Sequence, residues 1–285
     1  VTAVAHNGEV RWSADAVCRP LPVARTHAVL CFHDDDAEPE TAFEMLDWKT
    51  GAKLASYPVR DDVLNLKLSQ DERHFAISFS GGRVMLFELI EPKPGFKQVW
   101  DRKFRSEVLD LSVSSGLVGV LTADQKLQLL DFAGKTRAEA ALGARVEQIE
   151  LAPQGGGVMA FDNSARGQTL MYFDLPADLP SDTLKLEEKW RKQDPEPSNY
   201  TAPLLVSEGQ VMLRFESSDE RSMKSRLFSF SADGHAAWSL PLEHGEGSQL
   251  YAQTRIGDTD WVYVATDDGE IRAYAPARRG DGAGK

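Results

Sequence analysis

Apolar and polar residues alternate along most of this chain in short runs that break at Gly, Asp or Asn. Period-two runs bounded by turn residues predict β-strands. Residues 107–142 show the pattern best. EVLDLSV (107–113) alternates, Ser-Gly turns, LVGVLTA (117–123) is continuously apolar, KLQLLDF (126–132) follows, and KTRAEAAL (135–142) closes the unit. A continuous apolar run at the second place predicts a strand buried on both faces. The same order recurs. First strands are expected to begin near Val17, Asp62, Glu107, Arg145, Tyr200 and Gln249. Fourth strands are expected around Trp12, Ala55, Trp100, Ala138, Trp190 and Trp238. The turn before the fourth strand carries Asn7-Gly8, Thr50-Gly51, Ala133-Gly134 or Asp233-Gly234, and Gly supplies the positive φ of a tight hairpin. The one helix-compatible stretch, Leu184 to Lys192, holds Trp190 and is read as a single strand.

The recurring tryptophans are 88, 90 and 48 residues apart, which fits a period of about 45 with two repeats lacking the ring. The expectation is an all-β chain, a β-propeller of six four-stranded blades, with seven as the alternative. QLYAQTRI (249–256), WVYVATD (261–267) and EIRAYA (270–275) make only three strands of the last blade. The orphan outer strand is GEVRWSAD (8–15), so an N-terminal strand is expected to close the ring and hide its edges. VTAVAHN (1–7) reads as a third strand and competes with EIRAYA for that place. One domain is expected over residues 1–277, with a flexible tail over 278–285.

The stretches WVYVATDDGEIRAYA (261–275), FSFSADGHAAWSLPL (228–242) and AVAHNGEVRWSADA (3–16) resemble the PQQ-like, quinoprotein-type repeat of the wider propeller superfamily that includes WD-repeat-like folds. The resemblance implies that Trp12, Trp100, Trp190 and Trp238 pack between neighbouring blades. The repeats are degenerate, and the Gly-His and Trp-Asp signatures of WD repeats are missing. PQQ-dependent enzymes of the family carry eight blades, a calcium ion and a vicinal disulfide. This sequence has no adjacent cysteines, so no cofactor is carried over. The family's non-catalytic, protein-binding role transfers as a general expectation.

Composition narrows the partners. The net charge of −12 repels nucleic acid and anionic lipid. The longest apolar runs are too short for a transmembrane helix, so membrane insertion is not expected. Three small basic spots stand out: Arg102-Lys103 with Arg105, Lys189 with Arg191-Lys192, and Arg278-Arg279. Solvated strand ends and a tail are their plain reading. Cys18 and Cys31 form no CxxC pair. Two buried thiols are the favoured reading, although a hairpin about Ala24-Arg25 leaves a disulfide open. The chain opens at Val1 without a leader-like segment. A cytoplasmic location is expected, with a periplasmic or extracellular one after processing as the alternative.

Candidate chemistry is sparse. Asp34, Asp35 and Asp36, followed by Glu38 and Glu40, are weak metal candidates, since loop carboxylates bind Ca²⁺ but the spacing lacks the required glycine. Asp267-Asp268-Gly269 reads as a hairpin turn. Gly155-Gly156-Gly157 lacks phosphate-loop spacing. The histidines (His6, His27, His33, His74, His235, His244) form no HExxH or close pair, and no GxSxG elbow occurs. Asn199-Tyr200-Thr201 is a glycosylation sequon by pattern, and Arg279-Gly280-Asp281 is read as accidental. Loops 91–95, 176–182 and 193–199 are Pro-rich and long enough to carry partner contacts. The expected function is therefore non-enzymatic: a monomeric propeller scaffold, without cofactor or catalytic residues, that binds another protein. The alternative is a ligand-binding or enzymatic propeller with a site at the central channel. That site would use Asn65, Lys67, Asp110, Ser112, Gln148, Glu150, Gln253 and Arg255, which alternate with apolar neighbours on first strands.

Overall fold

The computed structural model describes residues 2–4, 9–13, 18–33, 43–58, 61–69, 71–91, 94–143, 145–152, 156–162, 168–194, 199–200, 204–206, 210–216, 225–230, 233–241, 250–256, 259–265 and 271–274. Among them every regular element is a strand except one 3-10 turn at Ser80–Gly82. The chain divides into two compact units. One comprises Val1–Gly155 with Asp178–Leu186, the other Gly156–Ala177 with Glu187–Lys285.

The first unit opens with the hairpin β1 (Thr2–Val4) and β2 (Val10–Ser13). Three antiparallel sheets follow in chain order. They are β3 (Cys18–Val23) to β6 (Lys53–Tyr57) through β4 (Ala28–His33) and β5 (Phe43–Asp47), then β7 (Val63–Leu68), β8 (His74–Phe79), β9 (Arg83–Ile90) and β10 (Gly95–Lys103), then β11 (Val108–Val113), β12 (Leu117–Thr122), β13 (Lys126–Asp131) and β14 (Thr136–Ala141). β15 (Gln148–Leu151) lies beside β11. The second unit holds β16 (Gly157–Asp162) and β17 (Gln168–Asp174), with β17 paired to β19 (Glu188–Asp194). It also holds a sheet of β20 (Asn199–Tyr200), β21 (Leu204–Val206), β22 (Gln210–Glu216), β23 (Ser225–Phe230) and β24 (Ala236–Pro241), and the meander β25 (Leu250–Ile256), β26 (Thr259–Ala265) and β27 (Ile271–Tyr274). First strands begin within three residues of the places the repeat spacing predicts.

The expected single strand over 184–192 is two. β18 (Leu184–Lys185) stops short and joins the third sheet of the first unit, running parallel to β14 with Ala138 opposite Leu184. Ala138 is fully buried and stands where β10 and β19 carry a Trp and β6 carries Ala55. The preceding insert is bound along β14. Arg137 Nη2 donates to Leu179 O at 3.0 Å, Lys135 Nζ to Ser181 O at 2.6 Å, and Thr183 Oγ1 to Thr136 O at 3.2 Å.

β2, β6, β10, β14, β19 and β24 each carry a bulge at the same point. Single residues are skipped in the register at Arg11, Leu54, Val99, Arg137, Lys189 and Ala237, each just before the Trp or Ala of its strand. A bulge bends the strand and re-aims the next side chain. In three cases the ring lies on the glycine of the next third-to-fourth strand turn. A Cβ built at Gly51 would sit 2.7 Å from Trp12 Cδ2, one at Gly134 3.3 Å from Trp100 Cδ1, and one at Gly234 2.8 Å from Trp190 Cγ. These glycines have φ of +71°, +80° and +79°, so the turn and the close approach both require the missing side chain. The side chain of Trp238 lies outside the described residues. Two of these turns are anchored by aspartate: Asp47 Oδ1 accepts from the amides of Lys49 and Thr50, and Asp131 Oδ1 from those of Ala133 and Lys135.

The core lies between consecutive sheets. β12 is buried along its whole length, as its continuous apolar run predicts. Phe43, Tyr57, Phe75, Phe87 and Phe96 interlock between the first two four-stranded sheets, with ring centroids 4.9 to 6.5 Å apart. Phe104, Val108, Leu111, Val118, Val120 and Leu130 pack with Ala76, Val84 and Leu86 across the next gap. Met159, Phe161, Leu170 and Tyr172 form a cluster in the second unit, where Tyr172 stacks on Trp190.

The cysteines depart from the favoured expectation of two thiols. Cys18 and Cys31 form a disulfide across β3 and β4. They sit on a diagonal, Cys18 opposite His33 and Pro20 opposite Cys31, with Cα atoms 5.4 Å apart, a separation that a disulfide spans without strand displacement.

Candidate functional site

β7, β11 and β15 are the first strands of three successive repeats, and their polar positions converge within the first unit. Alternation places Leu66, Leu111 and Ile149 on the face opposite Lys67, Asp110 and Glu150. The polar face is not open to solvent throughout, since Asp110 and Ser112 are buried.

Three of these groups bond the backbone of a neighbouring first strand. Asp110 Oδ2 accepts from the Ile149 amide at 2.9 Å, and Ser112 Oγ accepts from the Leu151 amide at 2.9 Å. Asn65 Nδ2 donates to Leu109 O at 3.3 Å and to Ser78 Oγ at 3.1 Å. The polar rungs therefore satisfy backbone groups where one first strand passes another outside any ladder.

Lys67 and Glu150 are the remaining charged members. Lys67 Nζ lies 3.8 Å from Asp110 Oδ1 and stays partly exposed. Burial raises the Asp110 carboxyl above its ordinary range, with Lys67 and the Ile149 and Leu111 amides acting against it. Burial also pushes Glu150 up to about 7. Lys67 opposes that shift, the Asp110 charge adds to it, and a Ser112 hydrogen bond opposes it. One cation faces two carboxyls, so a proton is held on Glu150 into the neutral range. The cluster can exchange that proton or accept a second cation. Among the described residues no group of three His, Cys, Asp or Glu is placed to hold a metal ion.

The raised Glu150 value gives a pH dependence of definite sign. At Glu150 the folded chain binds more protons than the unfolded chain between about pH 4.5 and 7, so the Glu150 contribution to stability falls as pH rises through that window and is constant above it. Glu150→Gln should remove the Glu150 share of this fall, raising the melting temperature at pH 8 more than at pH 5. Equal shifts at both pH values would show that Glu150 is ionised throughout.

Gln148 lies on β15, half-buried, whereas the side chains of Gln253 and Arg255, on β25, lie outside the described residues. So do Asp34, Asp35, Asp36, Glu38 and Glu40, the Asp267-Asp268-Gly269 turn, and the tail with Arg278-Arg279. Lys189 pairs with Asp174 at 2.6 Å and Arg191 with Glu188 at 2.6 Å, while Glu91 of the 91–95 loop holds Arg25 at 3.0 Å. His74, half-buried, packs on Phe132 with ring centroids 4.0 Å apart, and burial lowers its pKa. The bonds from Asp110 and Ser112 to β15 amides have no local sequence signal, because the partner strand lies 39 residues away.

The successive four-stranded antiparallel sheets define a β-propeller fold, and comparison with solved structures agrees. The chain is similar to the β-propeller domain of Myceliophteria thermophila Cps50 (Swd1), with a TM-score of 0.55 at 12% sequence identity, over 88% of this chain and 80% of that one. At that identity the likeness concerns fold alone. No protein-family model matches the sequence, and no curated protein does.

Proposed function

We propose that the chain is a non-catalytic β-propeller that binds a protein partner. One observation carries the reading: Asn65, Asp110 and Ser112, which would line a catalytic channel, bond the backbone of adjacent first strands instead. The likeness to a propeller domain supports the fold on which this rests. Propellers present rigid loops and host many activities, so the test is direct. Cross-linking in a native extract should capture one stoichiometric protein partner. Turnover of a substrate that Lys67→Met abolishes would overturn the proposal in favour of an enzymatic or ligand-binding channel, a second reading that the Lys67, Asp110 and Glu150 cluster favours.

In this reading residues 1–277 form one monomeric domain of six blades, with 278–285 as a tail. The bulge at Arg11 supports β2 as a fourth strand, since every other fourth strand carries one at the same point. β2 then completes the blade of β25, β26 and β27. The shared turn glycines and outer-strand tryptophans support the PQQ-like lineage of the repeat. The Cys18–Cys31 disulfide favours the periplasmic or extracellular alternative over the cytoplasm, because cytosolic thiols are kept reduced. Protein isolated under alkylating, non-reducing conditions should carry no adduct at either cysteine; two adducts would place it in a reducing compartment.

A further inference from the structure

The first unit contains a cleft of about 430 Å³ walled by Arg102, Lys103, Phe104, Arg105, Thr122, Asp124, Lys126 and Gln128. It lies where the end of β10 passes the turn between β12 and β13. Its wall carries four cations and one carboxylate, in a chain whose net charge is −12.

The charges are arranged to stay available. Arg102 donates Nη1 to Gly134 O and to Thr136 Oγ1, both at 3.1 Å, and its guanidinium lies 5.1 Å from the Phe104 ring centre. Neutral partners fix it, so its charge is not cancelled. Asp124 accepts from Thr122 Oγ1 at 2.6 Å, which holds it in the turn. Lys126 alone has a carboxylate partner, Glu139 at 2.8 Å, and Glu139 also holds Lys185. Lys103 and Arg105 are exposed and make no ion pair among the described residues.

We propose that this cleft docks an acidic segment of a partner protein, an extended run bearing two or more carboxylates. The inference rests on the reading of the chain as a protein-binding propeller and names the chemistry of the partner. Exposed cations on a rim steer an oppositely charged segment and fix its register. Arg105 presents a fork that matches a carboxylate, and Lys103 adds a point charge. Small-molecule sites are mostly apolar enclosures, whereas this wall is polar and its free cations lie in solvent. A long polyanion such as nucleic acid meets the negative field of the whole chain. A short acidic segment meets only the local patch.

The test uses the full chain and a fluorescein-labelled peptide of alternating Asp, Glu and Gly, followed by fluorescence anisotropy. Binding should weaken as salt rises. Lys103→Glu with Arg105→Glu should weaken it by about tenfold or more, while Lys97→Glu, outside the cleft, should leave it unchanged. Both substitutions are at exposed positions, and an unchanged melting temperature checks the fold. Undetectable peptide binding, equal loss with Lys97→Glu, or displacement of the peptide by equimolar phosphate or a single-stranded oligonucleotide would overturn the proposal. Partner capture by cross-linking, run on the same variants, separates the two readings. Capture that survives Lys103→Glu with Arg105→Glu sinks the cleft alone, and a wild-type chain that captures nothing sinks the scaffold reading.

Discussion

Gly82→Ala is expected to destabilise the protein by about 3 kcal/mol, through a left-handed backbone and a steric clash acting together. Gly82 closes the short 3-10 turn before β9 with φ at +82°. A Cβ there would run into Ser106 O and lie 3.2 Å from Phe104 O. Both obstacles are backbone, so no rotamer change relieves them. They are also held in place, because the Phe104 amide donates to Gly82 O at 2.8 Å. Gly116→Ala is the control, since an added methyl there meets nothing within 4 Å. Urea denaturation should move the midpoint of the Gly82 variant strongly downward and that of the Gly116 variant little. Equal midpoints would mean that the 104–106 connector yields.

Deleting residues 1–15 is expected to abolish the cooperative melt and leave an aggregating chain. Those residues hold β1 and β2. On the six-blade reading β2 is the outer strand that the last blade lacks, so its loss opens a sheet edge to pairing with other chains. The local contribution of β2 is smaller. Trp12 Nε1 donates to Trp48 O at 2.8 Å, and its ring covers Gly51. Trp12→Ala in the full chain should cost about 2 kcal/mol, below the range for a core Trp because the ring is only partly buried, and keep a single transition. A truncated chain that melts at the full-length temperature would show the closure to be wrong. One that melts cooperatively but at the Trp12→Ala temperature would reduce β2 to its contact with Gly51.

Strand order was legible because burial on alternate faces imposes period two, and burial on both faces erases it, as in β12. Turn glycines were legible because positive φ leaves little choice of residue. The side chains that anchor those turns were less so. Asp47 and Asp131 look like any turn aspartate until their bonds to the amides two to four residues on are seen. β18 is not legible because two residues carry no period, and its parallel pairing with β14 joins segments 46 residues apart. The disulfide is not legible because sequence gives the hairpin but not its register, and a two-residue offset decides whether the sulfurs meet. The candidate site was half legible. Alternation marked Asn65, Lys67, Asp110, Ser112, Gln148 and Glu150 as one polar face. It did not show that three of them bond the next strand's backbone, because that depends on how strands far apart in sequence pass one another.

The segment Asp178–Leu186 belongs to one compact unit while the chain on both sides of it belongs to the other. No single cut can therefore produce two self-sufficient halves. A split at residue 155 leaves β18, with Leu179, Ser181 and Thr183, on the C-terminal fragment, although its hydrogen-bonding partners Lys135, Thr136, Arg137 and Glu139 are on the N-terminal one. The C-terminal fragment would carry a piece of the N-terminal fragment's sheet. The pair is thus suited to complementation, in which the C-terminal polypeptide lends β18 back to the edge of β14.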